Sequence, residues 1–401
     1  MHDIKNIRNN PEAFTAALAR RGVEANVDDI LRRDAAIREA KTNLQTTASQ
    51  LNLLSRDIGA AMKARDQSTA DSLRAQVATM KDTVRDTETR IPMMEDALQK
   101  LLLMLPNVVE DDVPAGRDDR DNVPILEHNG PDNPDAVPHY DTNLGLDFEA
   151  GALLSGSRFT VLRGEAARMH RRLGQMMLDA AIDAGFEEVI PPLLVHSRAM
   201  IGTGQLPKFE HDAFRVDDHW LIPTAEVSLT NLVADRIIDL AEPVRMTALT
   251  QCFRREAGSA GRDTRGLIRQ HQFEKVEVVT VCRPEVAHRE HARIVDLAES
   301  NLSRLGLRFR RVLLCAGDTG FSARKTYDLE VWMQGSKEWR EISSCSTFGD
   351  FQSRRMNTRY RGEDGKTAYP TTLNGSALAV GRTLAATIEQ YWDGEKVCWP
   401  I

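Results

Sequence analysis

The chain has 401 residues and a formal net charge of −7, enough for two or three domains and a large core, and an acidic balance that confines any nucleic-acid contact to local basic patches. Five scattered cysteines (Cys252, Cys282, Cys315, Cys345, Cys398) form no CxxC pair, which argues against a disulfide framework or a cysteine-rich zinc site and suits a reducing cytoplasm. The N-terminal Met-His-Asp-Ile-Lys has no apolar signal core, and no apolar run reaches the ~18 residues that a membrane span needs.

Residues 1 to 27 predict a short helical lead-in, with Asn10-Pro11 at a helix start. Heptads follow. Ile30, Ile37, Leu44, Leu51 and Ile58 fall seven apart, with Ala40, Thr47, Leu54 and Ala61 as a weaker second series. After a polar break at residues 65–69, Leu73, Met80, Thr87, Met94 and Leu101 form one series, and Val77, Val84, Ile91, Leu98 and Leu105 the other. Two heptad helices joined by a short polar turn predict an antiparallel hairpin, each helix reaching roughly 50 Å. Heptads alone favour an oligomerisation coiled coil. A lever that touches a long RNA is the competing reading, and the mixture of Arg38, Lys41, Arg56, Lys63, Arg65, Arg74, Lys81 and Arg85 with acids does not decide. Pro92 inside the second helix predicts a kink or a local break.

Residues 107–150, rich in Asp, Pro and Gly, read as a linker that leads into a second domain at 151–401, after a helical domain at 1–106. From Gly151 onward strands and helices alternate without a βαβ rhythm. GxGxxG and P-loop patterns are absent, so any nucleotide must be held another way. The strand-like runs Ala248–Phe253 and Gln272–Thr280 predict a long hairpin. Between and beside them stand five arginines (Arg254, Arg255, Arg262, Arg265, Arg269) and the small-residue loop Gly258-Ser259-Ala260-Gly261. Guanidinium groups suit bidentate phosphate contacts, and Phe273 offers a face for a base. A solvated basic turn is the bland alternative. Period-two alternation places Arg254 and Glu256 on one strand face, Arg255 opposite them, and Phe273, Lys275 and Glu277 together on the next strand.

Phe253-Arg254-x-Glu256, then residues 261–269 (GRDTRGLIR), then Gln272-Phe273 resembles motif 2 of the class II aminoacyl-tRNA synthetases, in its seryl-specific form. Residues 185–192 (GFEEVIPP) resemble motif 1, a dimer-interface segment. Residues 374–382 (NGSALAVGR) resemble motif 3 with its ATP-binding arginine. Thr224-Ala225-Glu226 and residues 341–346 (EISSCS) are similar to further seryl-enzyme segments. The resemblance implies an α+β chain: an N-terminal antiparallel coiled-coil arm that grips serine tRNA, then a class II catalytic domain, an antiparallel sheet flanked by helices. It implies a cytoplasmic homodimer that activates L-serine with ATP, uses Mg²⁺, and transfers serine to serine tRNA, with selenocysteine tRNA a further candidate acceptor.

Residue by residue, the resemblance implies that Arg254 bridges the serine carboxylate and the α-phosphate. Glu256 contacts the adenine end of ATP and Phe273 stacks on adenine. Arg269 and Arg382 bind the triphosphate or the adenine face, and Arg254, Glu256, Arg269 and Arg382 form the catalytic set. Arg255, Ile342 and Ser343 join the ATP-binding set, with Glu341 and Ser344 also holding Mg²⁺. Thr224, Ala225, Glu226, Arg254, Glu277 and Ser376 bind serine. The loop 202–209 closes over the adenylate or meets the tRNA end. Cys345 reads as a packing residue. Leu51 and Leu54 stand where the family often has arginines, and with Pro92 they predict a bent arm with a weaker RNA grip. Two other classes compete. One is a duplicated synthetase serving inhibitor resistance or a different serine acceptor. The other is a non-enzymatic coiled-coil scaffold, which the presence of Arg254, Glu256, Glu277, Glu341 and Arg382 disfavours.

Overall fold

The computed structural model describes residues 1–257 and 265–399. The expected loop Gly258-Ser259-Ala260-Gly261, with Arg262, Asp263 and Thr264, lies outside the described residues. The chain divides into two units: one is His2–Ala16 with Glu24–Leu105, and the other is Met1, Ala17–Val23 and Pro106–Ile401.

In the first unit, α1 (Ile4–Asn9) and the first six residues of α2 (Pro11–Ala19) precede two 37-residue helices, α3 (Val27–Lys63) and α4 (Gln67–Leu103), which pack on each other. Pro11 opens α2, where its missing N–H is no loss. The Asn26 side chain caps α3 and the Asp66 side chain caps α4. Arg65 takes the left-handed turn between them (φ 54°). The heptad positions form the seam: Ile30, Ile37, Ala40, Ile91 and Leu98 are buried, and Leu44, Leu51, Leu54, Leu73, Val77 and Val84 are half-buried. Leu51 and Leu54 therefore serve the helix–helix contact. The expected break at Pro92 does not occur, since α4 runs unbroken through it. The flanking heptad residues Ile91, Met94 and Leu98 keep the helix packed across the missing hydrogen bond.

The second unit is built on an eight-stranded sheet. Its strands are β1 (Val123–His128), β4 (Glu187–Glu188), β9 (Val244–Phe253), β10 (Gln272–Cys282), β11 (Phe309–Leu313), β12 (Lys325–Met333), β13 (Glu338–Gly349) and β16 (Thr371–Ala379). They lie in the order β1-β11-β12-β13-β16-β10-β9-β4. All neighbours are antiparallel except β4 and β9. Among the described residues three small sheets carry the other strands: β2 (Leu146–Asp147) with β3 (Val161–Leu162); β5 (Leu194–His196), β6 (Arg215–Val216) and β7 (His219–Leu221); and β8 (Ile237–Ile238), β14 (Arg359–Arg361) and β15 (Thr367–Ala368).

One sheet face is covered by α6 (Gly164–Asp183), α9 (Ala287–Arg304) and α11 (Val380–Tyr391). Leu173, Met177, Ile294, Leu302, Leu384 and Ile388 from these helices close a single core with Val276, Val278, Leu329 and Val331 from the strands. Strand alternation then turns Phe273 and Lys275 to the opposite face, where the cavity described below lies. Two shorter helices, α7 (Ser197–Thr203) and α8 (Glu226–Thr230), and then α10 (Phe351–Met356), edge that face. The fold is the α+β arrangement expected, a helical arm followed by a mostly antiparallel sheet with flanking helices. Among the described residues no helix is long and apolar enough to cross a membrane.

Candidate active site

A cavity of about 400 Å³ opens on the free face of the sheet. Its lining includes eleven of the expected residues: Thr224, Glu226, Arg254, Glu256, Arg269, Phe273, Glu341, Ile342, Ser344, Ser376 and Arg382. The expected loop contributes Thr203, Gly204, Gln205 and Phe209.

The cations are tied down in pairs with backbone and carboxylate groups. Arg254 donates from Nε to the Pro223 carbonyl at 3.3 Å and lies 5.3 Å from the centre of the Phe273 ring. Arg269 donates to Glu256 Oε2 at 3.1 Å. Arg382 donates from Nε to the Ile268 carbonyl at 3.1 Å and from Nη1 to the Glu341 carbonyl at 2.6 Å, with the Glu341 carboxylate 3.5 Å away. These contacts hold guanidinium groups in fixed orientation around a space, the preorganisation that an anion site requires.

Arg254 and Glu256 do not share the strand face expected from period-two alternation. β9 ends at Phe253, and Glu256 has a φ of 50°. Both side chains line the cavity because the chain turns there, anchored by Arg255 N–H to the Asp212 carbonyl and Ala257 N–H to the Asp212 carboxylate. Four expected residues stand off the cavity wall. Arg255 lies over the Phe214 ring at 6.0 Å. Ala225 is packed with Leu229, Met246, Ala248 and Val279. Ser343 is buried and donates to the Ser376 carbonyl at 2.6 Å. Glu277 is fully buried beneath the wall, ion-paired with Lys275 and accepting from Asn374 Nδ2 at 2.9 Å.

At the other end, burial first and the nearby Glu277 carboxylate second push the Glu226 carboxyl up to about 7. A hydrogen bond from Gln352 Nε2 at 2.6 Å, with Lys275 and Arg254, pulls the other way. Lys275 Nζ donates to Thr224 Oγ1 at 3.0 Å. This end is a small polar pocket whose buried groups are mutually bonded. Sequence reasoning assigned no role to Lys275, Asn374 or Gln352. The first two had a signal, a polar residue flanking a matched motif position. Gln352 had none, because α10 reaches Glu226 only through the tertiary fold.

For a divalent cation, Glu341 and Ser344 are joined by Asp328, which pairs with Ser344 across β12 and β13. Burial first and the Glu341 charge second push the Asp328 carboxyl well above its usual range, and its Oδ1 is buried with no hydrogen-bond partner among the described residues. Hard oxygen donors with an orphaned carboxylate oxygen suit Mg²⁺. A separate group, His196, Asp218 and His219, has ligand atoms within 4.8 Å of one another, and it does not line the cavity. Burial pushes the Cys345 thiol up to about 12, in keeping with packing rather than reactivity.

The catalytic unit has the fold of the class II aminoacyl-tRNA synthetases: residues 208–391 match the class II tRNA synthetase core domain (G, H, P, S and T). Residues 1–109 match the seryl-tRNA synthetase N-terminal domain. Proteins of Novosphingobium aromaticivorans and Erythrobacter litoralis, each named serine–tRNA ligase, are 54% and 53% identical to this chain, with 98% of this chain and 94% of each relative covered. The crystal structure of Pyrococcus horikoshii seryl-tRNA synthetase complexed with ATP superposes with a TM-score of 0.92 at 33% identity, covering 98% of this chain and 94% of that one. The chain belongs to the seryl-tRNA synthetase family.

Proposed function

We infer that the chain is an ATP-dependent serine–tRNA ligase, with activation of L-serine and its transfer to serine tRNA both centred on this cavity. The observation that carries the reading is the two-ended lining: arginines and an aromatic ring at one end, a buried carboxylate with hydroxyl and amide groups at the other, and Arg254 between. In the first step the serine carboxylate attacks the α-phosphorus of ATP and pyrophosphate leaves. In the second, a terminal ribose hydroxyl of the tRNA attacks the acyl carbon and AMP leaves.

The first nucleophile is already an anion, so the obstacle is charge rather than deprotonation. Arg254 bridges the carboxylate and the α-phosphate, while Arg269 and Arg382 meet the spreading phosphate charge. Phe273 stacks on adenine, Glu256 takes its exocyclic amine, and Ile342 and Ser344 line the nucleotide wall. Glu226 receives the serine ammonium beside Thr224. Ser376 meets the serine hydroxyl, and Glu277 acts from beneath by holding Lys275 and Asn374. Ala225, Ser343 and Arg255 act as packing or second-layer supports. When bound, Mg²⁺ would neutralise phosphate charge, held by Glu341 and Ser344 with Asp328 as the carboxylate supporting them.

We assign residues 1–106 to the RNA arm, 107–150 to the linker and 151–401 to catalysis, in a cytoplasmic homodimer. Ile190, in the motif 1 segment, is 92% exposed in the single chain, which supports its burial against a second copy. The deciding experiment is a paired assay on the purified chain. Serine-dependent ATP–pyrophosphate exchange followed by serine transfer to total tRNA is expected. Exchange without transfer would favour the reading in which activated serine goes to another acceptor, and no exchange would overturn both.

A further inference from the structure

His139 belongs to neither the arm nor any strand of the sheet, and no part of the reaction above uses it. It sits in a single turn, His139–Asp141, and is 1% exposed. Its ring joins two elements of the site. Nδ1 lies 2.8 Å from Glu389 Oε1, and Nε2 accepts the Leu267 backbone N–H at 3.0 Å. An atom that accepts an N–H carries no proton of its own, so the ring proton is on Nδ1 and is donated to Glu389.

Both anchors lead to ATP-binding groups. Glu389 is on α11, two turns beyond Arg382. Its carboxylate also accepts the His139 N–H at 3.1 Å, the Gly335 N–H at 2.8 Å and the Ser336 N–H at 3.1 Å. Five donors on one buried carboxylate, counting the Ser336 hydroxyl at 3.2 Å, make a fixed post. Leu267 opens the run Leu267-Ile268-Arg269-Gln270, all of which lines the cavity. The Ile268 carbonyl receives Arg382, and Arg269 is bonded to Glu256. Gly266 has a φ of 86°, and a Cβ there would lie 2.4 Å from His139 Nε2. Only glycine lets the backbone come this close.

We propose that His139 is a positioning residue for the nucleotide: by gripping Leu267 with one ring nitrogen and Glu389 with the other, it sets Arg269 and the Ile268 carbonyl against Arg382 before ATP arrives. The proposal rests on the ATP-binding reading of the site. Thr224 and Glu226 hang from α8 and its approach, outside this grip, so the serine end should be insensitive to it.

The test separates the two nitrogens on the full chain. In His139→Gln the side-chain oxygen replaces Nε2 and can still accept from Leu267. In His139→Asn the amide reaches Glu389 but not Leu267. Serine-dependent pyrophosphate exchange is expected to show an ATP KM raised roughly 5- to 100-fold in His139→Asn, the range for an orphaned buried N–H. His139→Gln should stay within about threefold, and the serine KM should be unchanged in both. Equal ATP constants in the two variants, or ATP and serine constants that move together with melting temperature, would overturn the proposal. If His139→Asn fails to fold, Glu389→Gln carries the same expectation of a raised ATP constant at constant serine KM. Calorimetric ATP binding to the same proteins reads the grip directly. Should the unmodified chain bind ATP yet show no serine-dependent exchange, the serine reading falls while the Asn–Gln contrast still decides this one.

Discussion

Glu226 shows how one buried carboxyl can set a substrate's pH dependence. A carboxylate moved out of water without a full counter-charge holds its proton longer, and here its ordinary acidity is displaced to about 7. In the proposed mechanism the serine ammonium supplies the missing charge, so the ionised form is the one expected to bind. Serine affinity should then fall as pH drops through 7. The serine KM of exchange should rise about tenfold from pH 8 to pH 6, and Glu226→Gln should flatten that profile while raising KM throughout. Arg254 lies on the reacting groups of both substrates in the proposed mechanism, so Arg254→Ala should lower exchange by about 10² to 10³ in kcat, measured at saturating serine and ATP. Asp328 lies behind Ser344 rather than in the matched motif. Asp328→Asn should raise the Mg²⁺ concentration for half-maximal exchange about 10-fold or more, as loss of a supporting carboxylate does.

At the scale of elements, the arm obeys its own pattern more strictly than its exceptions. A proline in a helix interior removes one hydrogen bond and crowds the preceding turn, at a cost of about 3 kcal/mol relative to alanine. The 37-residue α4 absorbs this because its seam residues continue on both sides of Pro92. Pro92→Ala should therefore stabilise the arm by about 1–3 kcal/mol, read as a higher midpoint in thermal unfolding followed by circular dichroism. The hairpin of β9 and β10 illustrates the reverse case, where a local rule stops short. Alternation correctly places Phe273 and Lys275 on the cavity face, but it fails within three residues of the end of β9 at Phe253. There Glu256 turns in through a positive φ and Asp212 holds the turn.

At the scale of the whole molecule, several large apolar side chains stand exposed on the single chain. Leu153 and Leu154 are 87% and 75% exposed, and Ile190 is 92% exposed. Removing a side chain of this size from water is worth about 1.5–3 kcal/mol, so a second copy packed on Ile190 would be held in part by it. If the chain forms the proposed homodimer through this segment, Ile190→Asp should shift it to monomer in sedimentation at micromolar concentration, and a dimer unmoved by the change would place the interface elsewhere.

Much of this protein was legible in order along the chain. Heptads, caps and the polar break predicted the two arm helices because a coiled coil is specified by local periodicity. The cationic and aromatic character of Arg254 and Phe273 pointed to phosphate and base contacts because such character is a property of single residues, while the roles expected of Arg269, Glu341 and Arg382 came from the resemblance of their segments to synthetase motifs. What the sequence could not determine is which of these face one another. Gln352 meets Glu226, and His139 meets both Leu267 and Glu389, across separations of more than 100 residues. Those contacts exist only after the sheet has paired and α10 and α11 have docked. The buried acidity of Glu226, the withdrawal of Glu277 beneath the wall and the orphaned oxygen of Asp328 likewise arise from the loss of water around them, and that loss is decided by tertiary packing.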